Sequence, residues 1–142
     1  MNGIVFIETR DKPGLARIFE DHLKFVPELD PLVFCSDDNA YQFKGFNKVI
    51  IDHPGNISEY NSMITDAAFW GKIPFNKVLI CEHESGILRK GIEEFYEWDY
   101  VGAPWKFQYH GGNGGLSLRN PGAMFKTIMR RPYNLTLGYE DV

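Results

Sequence analysis

Short apolar runs alternate with longer amphipathic stretches along the first two-thirds of the chain. The runs are too short for helices and lack the polar alternation of half-exposed strands, so they predict strands buried on both faces. These four strands are expected at 3–8, 31–36, 48–52 and 77–81. Apolar residues recur at helical spacing over 15–26 and 57–70, which predicts one helix after the first strand and another after the third.

Alternation of strands and helices is typical of right-handed βαβ units. It predicts a single α/β domain over residues 1–142, with a mostly parallel sheet flanked by helices. In such sheets, ligands bind at the carboxyl ends of the strands where the strand order reverses. The segments that follow the strands, and are therefore expected near a site, are 8–12, 36–39 and 82–85.

The last third of the chain is less regular. The pattern predicts a short helix over 93–98 and a strand over 114–119. Asn120 and Pro121 have the residue types of a helix cap and a first helical residue, which places a final helix at 123–130.

The composition is that of one folded domain without a basic surface. With 142 residues, 44% of them hydrophobic and 15% aromatic, the chain is long enough to bury one core. Its 19 acidic residues outnumber its 15 lysines and arginines, giving a net charge of -4. Nucleic-acid affinity depends on clustered cations, so no nucleic-acid partner is expected. A small anionic ligand remains compatible if a metal ion or local cations offset the acidic charge.

Cysteine usage and the chain's beginning indicate a cytoplasmic protein. Cys35 and Cys81 each end an apolar run, where a reduced thiol behaves as a small buried hydrophobe. Met1 leads almost directly into the first strand without a basic leader or cleavage site, and no apolar run is long enough to span a bilayer. A piece cut from a longer chain would have the same appearance. The oligomeric state is left open.

Three ionisable residues follow the fourth strand directly. Alternation along an extended segment would place Glu82 and Glu84 on one side and His83 on the other. Two carboxylates on one side are suited to a hard divalent ion, which in turn binds a diphosphate. The alternative is a polar strand end exposed to water, which is common for acidic residues.

A glycine-rich segment, 111–119, contains four glycines around Asn113. Such a backbone can approach a ligand closely or adopt positive φ. It is not a Walker phosphate loop, because it lacks the Gly-Lys-Ser/Thr ending and precedes a strand rather than following one. A ligand-binding loop and a plain hairpin connection are equally compatible with it.

Aromatic residues and two cations give further candidates. Aromatic residues are dense between 96 and 109, and Trp105 and Tyr109 are the ones expected to be exposed enough to stack on a sugar ring. Core packing is the alternative for most of the others. Arg10 and Lys12 follow the first strand, where they would meet a phosphate or remain ordinary surface cations. No spacing typical of a Ser-His-Asp triad or a zinc cluster is present.

Taken together, these segments resemble a family of mostly uncharacterised glycosyltransferase-like proteins of the GT-A type. The resemblance covers nearly the whole chain, including the opening Ile-Glu-Thr-Arg at 7–10. Its first block is Tyr60-Asn61 with Phe69-Trp70. Its second is the strand and acidic end at 77–85 with Asp-Tyr-Val-Gly-Ala-Pro-Trp at 99–105. Its third is Gly-Asn-Gly-Gly-Leu-Ser-Leu-Arg at 112–119 with Glu-Asp-Val at 140–142.

The resemblance implies a GT-A-like, Rossmann-like architecture that binds a nucleotide-sugar donor. In that family the strand end usually reads Gln-Thr-Asp-Ser, and its Asp resembles the acidic motif that holds the nucleoside diphosphate through Mn²⁺ or Mg²⁺. Glu84 stands at that position here, one methylene longer, and with Glu82 is the expected metal site. A uridine diphosphate sugar is the default donor by analogy, and the acceptor is not identified.

The same resemblance assigns the remaining site residues. The donor side is expected to include Glu8, Thr9, Arg10, Asp37, Glu82 and Ser85. The acceptor or sugar side is expected to include Trp105, Asn113, Gly114, Gly115 and Ser117. Asp141 or Glu140 would act as the base that deprotonates the acceptor hydroxyl.

Two other interpretations stay open. The chain stops at Val142, where relatives would continue, so it is either a minimal enzyme or lacks a C-terminal segment. The substitution of Glu for Asp also fits a non-catalytic module that binds a nucleotide or carbohydrate in a degenerate transferase site. A metal-dependent phosphoesterase ranks behind the transferase and the binding module, because the His-rich ligand pattern common in such enzymes is missing.

Overall fold

A computed structural model describes residues 1–104, 106 and 112–132, except for the side chains of 112 and 113. The strands are β1 Gly3–Ile7, β2 Asp30–Cys35, β3 Lys48–Ile50, β4 Val78–Cys81, β5 Tyr100–Pro104 and β6 Gly112–Arg119. The helices are α1 Leu15–Leu23, α2 Ile57–Ile64, α3 Ala67–Gly71 and α4 Pro121–Arg130. Single 3-10 turns lie at Ala40–Phe43 and Ile92–Phe95.

The described strands form one six-stranded mixed sheet in the order β3-β2-β1-β4-β6-β5. β1 pairs in parallel with β2 and β4, and β2 pairs in parallel with β3. β6 runs antiparallel to both of its neighbours, β4 and β5. The predicted α/β fold with helices on the sheet is therefore confirmed and is compatible with a Rossmann-like fold. The prediction of a mostly parallel sheet holds only for the β3-β2-β1-β4 part.

The central strands β1, β2 and β4 are largely buried on both faces, which explains why they read as continuous apolar runs. Every residue of β1 is buried. Phe6 packs under α1 against Phe19, with ring centroids 5.1 Å apart. On the opposite face Phe34 packs against Phe69 of α3, with ring centroids 4.9 Å apart. Burial of these strands on both faces, on which the α/β prediction was based, is therefore present in the structure.

The helix predicted over 57–70 is divided into α2 and α3. Asn56 caps α2, because its side chain accepts a hydrogen bond from the Glu59 amide at 2.9 Å. Between the helices, the Thr65 hydroxyl donates to the Asn61 carbonyl at 2.5 Å, and Asp66 accepts from the Ala68 amide at 3.0 Å. Short polar side chains that compete for backbone groups in this way end one helix and start the next.

The region after β4 differs most from the prediction. The helix expected over 93–98 is only the 3-10 turn Ile92–Phe95, and β5 was not predicted as a strand. β5 is short, contains Gly102 and Pro104, and has a register irregularity after Gly102. A strand of that composition at a sheet edge carries little periodic signal. The last helix agrees with its prediction, since Asn120 accepts from the Ala123 amide at 3.2 Å and Pro121 is the first residue.

Two further expectations concern the thiols and the membrane. Cys35 and Cys81 are both free and buried, as predicted, and burial raises the pKa of each thiol. Among the residues that the structure describes, no helix is both long and apolar enough to cross a bilayer.

Burial on the sheet face should dominate the stability of this fold. Phe34 is fully buried, whereas Phe125 on α4 is 42% exposed. We expect Phe34→Ala to lower the free energy of unfolding by about 3–5 kcal/mol because it leaves a cavity. Phe125→Ala should change it by about 0.5 kcal/mol or less. Urea denaturation of both variants measures the difference, and equal losses would contradict the described packing.

Candidate functional site

The strand order reverses between β1 and β4. From β1 the chain proceeds through β2 to β3 on one side, and then returns to place β4 on the other side of β1. The carboxyl ends of two parallel strands diverge at such a point and open a crevice. Glu8 directly follows β1, and Glu82 directly follows β4. Two acidic residues therefore lie side by side at the switch point of the sheet.

Two clefts meet at this point. The first, of about 350 Å³, lies between the end of β1, the loop after β3 and helix α2. The second, of about 330 Å³, lies between the turn after β4 and strands β5 and β6. Glu82 lines both clefts. A ligand that occupied both would have to pass this carboxylate.

Glu8 is a buried carboxylate at the boundary of the site. Its Oε1 accepts hydrogen bonds from the Arg10 backbone amide and from Arg10 Nε, each at 2.9 Å, and its Oε2 accepts from Arg10 Nη2 at 2.9 Å. His83 Nδ1 lies 2.7 Å from Oε2. Burial alone would raise the pKa of Glu8, but the hydrogen bonds and charge of Arg10, together with His83, hold it below its ordinary value. The carboxylate is therefore ionised and fixed.

The loop after β1 is held by buried polar side chains from the end of β2. The Asn39 side chain, which is fully buried, donates to the backbone carbonyls of Glu8 at 2.7 Å and Arg10 at 3.0 Å. The Ser36 hydroxyl donates to the Thr9 carbonyl at 2.6 Å, and the Ser36 amide donates to Asn39 Oδ1 at 3.0 Å. Hydrogen bonds from these buried side chains therefore fix the backbone conformation of residues 8–10.

The segment after β4 is a turn and not an extended strand end. The Ser85 amide donates to the Glu82 carbonyl at 3.1 Å, and the Ser85 hydroxyl donates to the same carbonyl at 2.7 Å. The reasoning from strand alternation was therefore wrong for this segment. The turn nevertheless brings Glu82 and Glu84 to the second cleft, while His83 points toward Glu8.

Further contacts hold side chains of the turn and of the first cleft. The Tyr60 hydroxyl of α2 donates to Glu82 Oε1 at 2.6 Å. His83 Nε2 lies 2.8 Å from Lys12 Nζ and 3.4 Å from Glu84 Oε1. In the first cleft, Thr9 Oγ1 lies 2.7 Å from His53 Nδ1.

The acidic residues of the second cleft can supply part of a metal site. Mg²⁺ in nucleotide enzymes is commonly held by one or two carboxylates, with substrate phosphates and water completing the shell. Glu82 and Glu84 line one cleft, and the Glu84 side chain is 80% exposed. Their oxygens fit such a partial set. No group of three or more His, Cys, Asp and Glu among the described residues is arranged to hold a metal by itself.

The structure places the expected donor residues unequally. Glu8, Thr9, Arg10 and Glu82 line the first cleft, and Ser85 lines the second. Asp37 is exposed and lines neither of these two clefts.

Of the expected acceptor residues, Gly115 lines the second cleft. The Ser117 hydroxyl is buried, donates to the Gly114 carbonyl at 3.0 Å and accepts from Arg119 Nε at 2.9 Å. Asn113 belongs to β6, where its backbone pairs with Ala103. Trp105, Tyr109, Glu140 and Asp141 lie outside the described residues.

Sequence reasoning missed three residues of the site. His53 follows the carboxyl end of β3, so the rule that pointed to 8–12 and 36–39 would have found it. Tyr60 was noted only as part of a motif, because nothing in the sequence shows that its hydroxyl reaches Glu82. The role of Asn39 depends on burial beneath the neighbouring loop, which no local pattern reveals.

Together the fold and the clefts define an α/β protein with a polar crevice at the switch point of a mixed sheet. Residues 40–141 match the family model described as "Protein of unknown function (DUF5672)", which covers more than half of the chain. The chain therefore belongs to this family. No curated protein matches the sequence. The matched range includes Tyr60 and the turn after β4, but begins after the β1 loop.

The ion pair at Glu8 makes a pH-dependent contribution to stability. Because its pKa is lowered in the folded protein, the contribution is fully present above the ordinary value of 4.5 and is lost as the pH falls through the folded-state pKa. Glu8→Gln should lower the free energy of unfolding by about 1.5–3 kcal/mol at pH 7. The deficit relative to the wild type should narrow below pH 4.5, because the unfolded wild-type chain takes up its proton first.

Urea denaturation between pH 7 and pH 3.5 measures this deficit, and the other carboxylates cancel in the comparison. Glu20→Gln, an exposed carboxylate on α1, is the matched control and should differ little from the wild type at any pH. A Glu8→Gln deficit that stayed constant over the whole range would contradict the lowered pKa.

Proposed function

We propose that this protein is a glycosyltransferase that moves a sugar from a nucleotide-sugar donor to an acceptor hydroxyl, assisted by a divalent metal ion. The observation that carries the proposal is the pair of adjoining clefts that share Glu82 at the switch point of the sheet. A nucleotide sugar consists of a nucleoside and a sugar joined by a diphosphate. Two adjoining clefts that share the Glu82 carboxylate match that division.

The strand order supports a nucleotide-binding architecture. The β3-β2-β1-β4 order is that of the first four strands of dinucleotide-binding sheets, in which the nucleotide lies at the reversal next to β1. The sheet then departs from that pattern, because β6 is antiparallel to β4. We assign the whole to the GT-A type on the resemblance of its motifs, with this strand order as support.

The first cleft suits the nucleoside. Its volume of about 350 Å³ lies at the lower end of the range of about 300–1,000 Å³ typical of small-molecule sites. Apolar side chains of Ile7 and Met63 share its lining with the polar groups of Thr9 and Asn56. Such a mixture of apolar surface and a few polar groups is what a base and a ribose require.

The second cleft suits a metal-bound diphosphate and the sugar. Glu82 and Glu84 would repel a bare diphosphate, whereas a divalent ion bound to them would attract it. When bound, the ion would stabilise the negative charge that develops on the leaving phosphates. Glu82 and Glu84 would hold the ion, and the Tyr60 hydroxyl would keep Glu82 oriented toward it. Asp141 or Glu140 remains the base expected from the resemblance.

A non-catalytic nucleotide- or carbohydrate-binding module is the second candidate. Glu84 stands one methylene longer than the Asp of the motif that it resembles, which moves the carboxylate away from the position in which that motif would hold the metal. A site of this kind would bind the donor without turning it over.

Calorimetric titration tests the proposed site. We expect uridine or guanosine diphosphate to bind in the presence of manganese, and Glu84→Ala to weaken that binding about tenfold or more, because a charged ligand of the metal is lost. Glu20→Ala, which removes an exposed carboxylate on α1 that lines neither cleft, is the matched control and should bind like the wild type.

If neither nucleotide binds the wild type under any metal condition, the donor site does not exist. Equal affinities of the wild type and Glu84→Ala in manganese would instead remove Glu84 from the metal site.

A further inference from the structure

Arg10 and Lys12 are the cations that contact Glu8 and His83, and their side chains have partners of different strength. Arg10 forms two side-chain hydrogen bonds to Glu8, a carboxylate whose side chain is only 3% exposed. Removing the guanidinium would leave a buried carboxylate without its main partner, which is strongly unfavourable. Arg10 is therefore committed to Glu8 and is poorly placed to transfer to a ligand.

Lys12 has a weaker partner. His83 Nδ1 lies 2.7 Å from Glu8 Oε2, so this nitrogen carries the proton that is donated to the carboxylate. His83 Nε2 then accepts from the Lys12 ammonium, 2.8 Å away. An imidazole ring offers the ammonium no opposite charge, whereas a phosphate does, so a phosphate is the stronger partner.

The backbone of Lys12 is held by contacts that do not involve its ammonium. The Gln42 side chain donates to the Lys12 carbonyl at 2.7 Å, and the Lys12 amide donates to the Arg10 carbonyl at 3.0 Å. A change of partner by the ammonium therefore requires only side-chain rotation, without movement of the loop. Such rotations are fast compared with ligand binding.

Lys12 also lies where positive charge is needed. The imidazole nitrogen that it contacts is 3.4 Å from Glu84, and Glu84 lines the second cleft with Glu82. Among the described residues that line this cleft there are two carboxylates and no lysine or arginine. Lys12, whose ammonium contacts His83 and not a carboxylate, is available to a diphosphate bound between the clefts.

We infer that Lys12 is the phosphate-binding cation of the site and that His83 holds its ammonium until a diphosphate enters. This inference rests on the proposed function for the identity of the ligand, a nucleoside diphosphate. On binding, the ammonium leaves His83 Nε2 and donates to a phosphate oxygen, while Arg10 stays on Glu8. Lys12 and not Arg10 then determines the affinity for the diphosphate.

Titration with uridine diphosphate and with inorganic pyrophosphate tests the inference, first with a chelator and then with manganese. In each condition in which the wild type binds, Lys12→Gln should bind both ligands about tenfold more weakly, because one hydrogen bond to a charged group is lost. Lys12→Arg keeps the charge and should recover most of the affinity. Lys44→Gln, at an exposed position, is the matched control and should match the wild type.

Nitrogen NMR of the His83 imidazole tests the change of partner directly. Saturation with pyrophosphate should move the Nε2 resonance of the wild type, and ligand-free Lys12→Gln should already show a resonance displaced from that of the ligand-free wild type. A wild-type resonance that stays in place at saturation would overturn the inference.

The outcomes separate this inference from the proposed function. If the wild type binds uridine diphosphate and Lys12→Gln binds it equally well, Lys12 is not the phosphate cation, while the donor site stands. If the wild type binds neither ligand in any condition, both the inference and the proposed function fail.

Discussion

The buried carboxylate of Glu8 is the contact on which the arrangement of the crevice depends. It sits at the carboxyl end of β1 and accepts from Arg10 in its own loop and from His83 in the turn after β4. One carboxylate thus joins the two strand ends between which the sheet order reverses. The turn carries Glu82 and Glu84, so the position of both carboxylates is linked to β1. Asn39 and Ser36 complete the arrangement by holding the backbone carbonyls of the same loop.

Much of the fold was predictable because burial of the strands and helices produces a recognisable pattern of apolar residues along the chain. β1, β2 and β4 are buried on both faces, and such strands read as short apolar runs whatever their neighbours are. The division between α2 and α3 was not predictable from apolar spacing, since it arises from Thr65 and Asp66 competing for backbone groups. β5 was missed because an edge strand with glycine and proline has no clear period, and its pairing with β6 is a tertiary feature.

The site was predictable in location but less so in detail. The rule for strand ends placed Glu8, Arg10 and Glu82 at one edge of the sheet, and the structure brings these residues to one cleft. The sequence could not show that Arg10 is paired with Glu8, because two residues that follow a strand can point to solvent or to each other. It also could not show that Lys12 contacts His83, 71 positions later in the chain. Contacts between distant segments depend on the strand order, which apolar patterns leave undetermined.

Release of nucleoside diphosphate from donor sugars distinguishes an enzyme from a binding module most directly. The wild type and Glu84→Ala would be incubated with a panel of uridine and guanosine diphosphate sugars and manganese, and the released diphosphate would be measured by chromatography. A glycosyltransferase site predicts slow release from one donor by the wild type, because water replaces the missing acceptor, and loss of that release in Glu84→Ala. Nucleotide binding without release from any donor, even when candidate acceptors are added, would contradict transferase activity and leave the binding module as the function of these clefts.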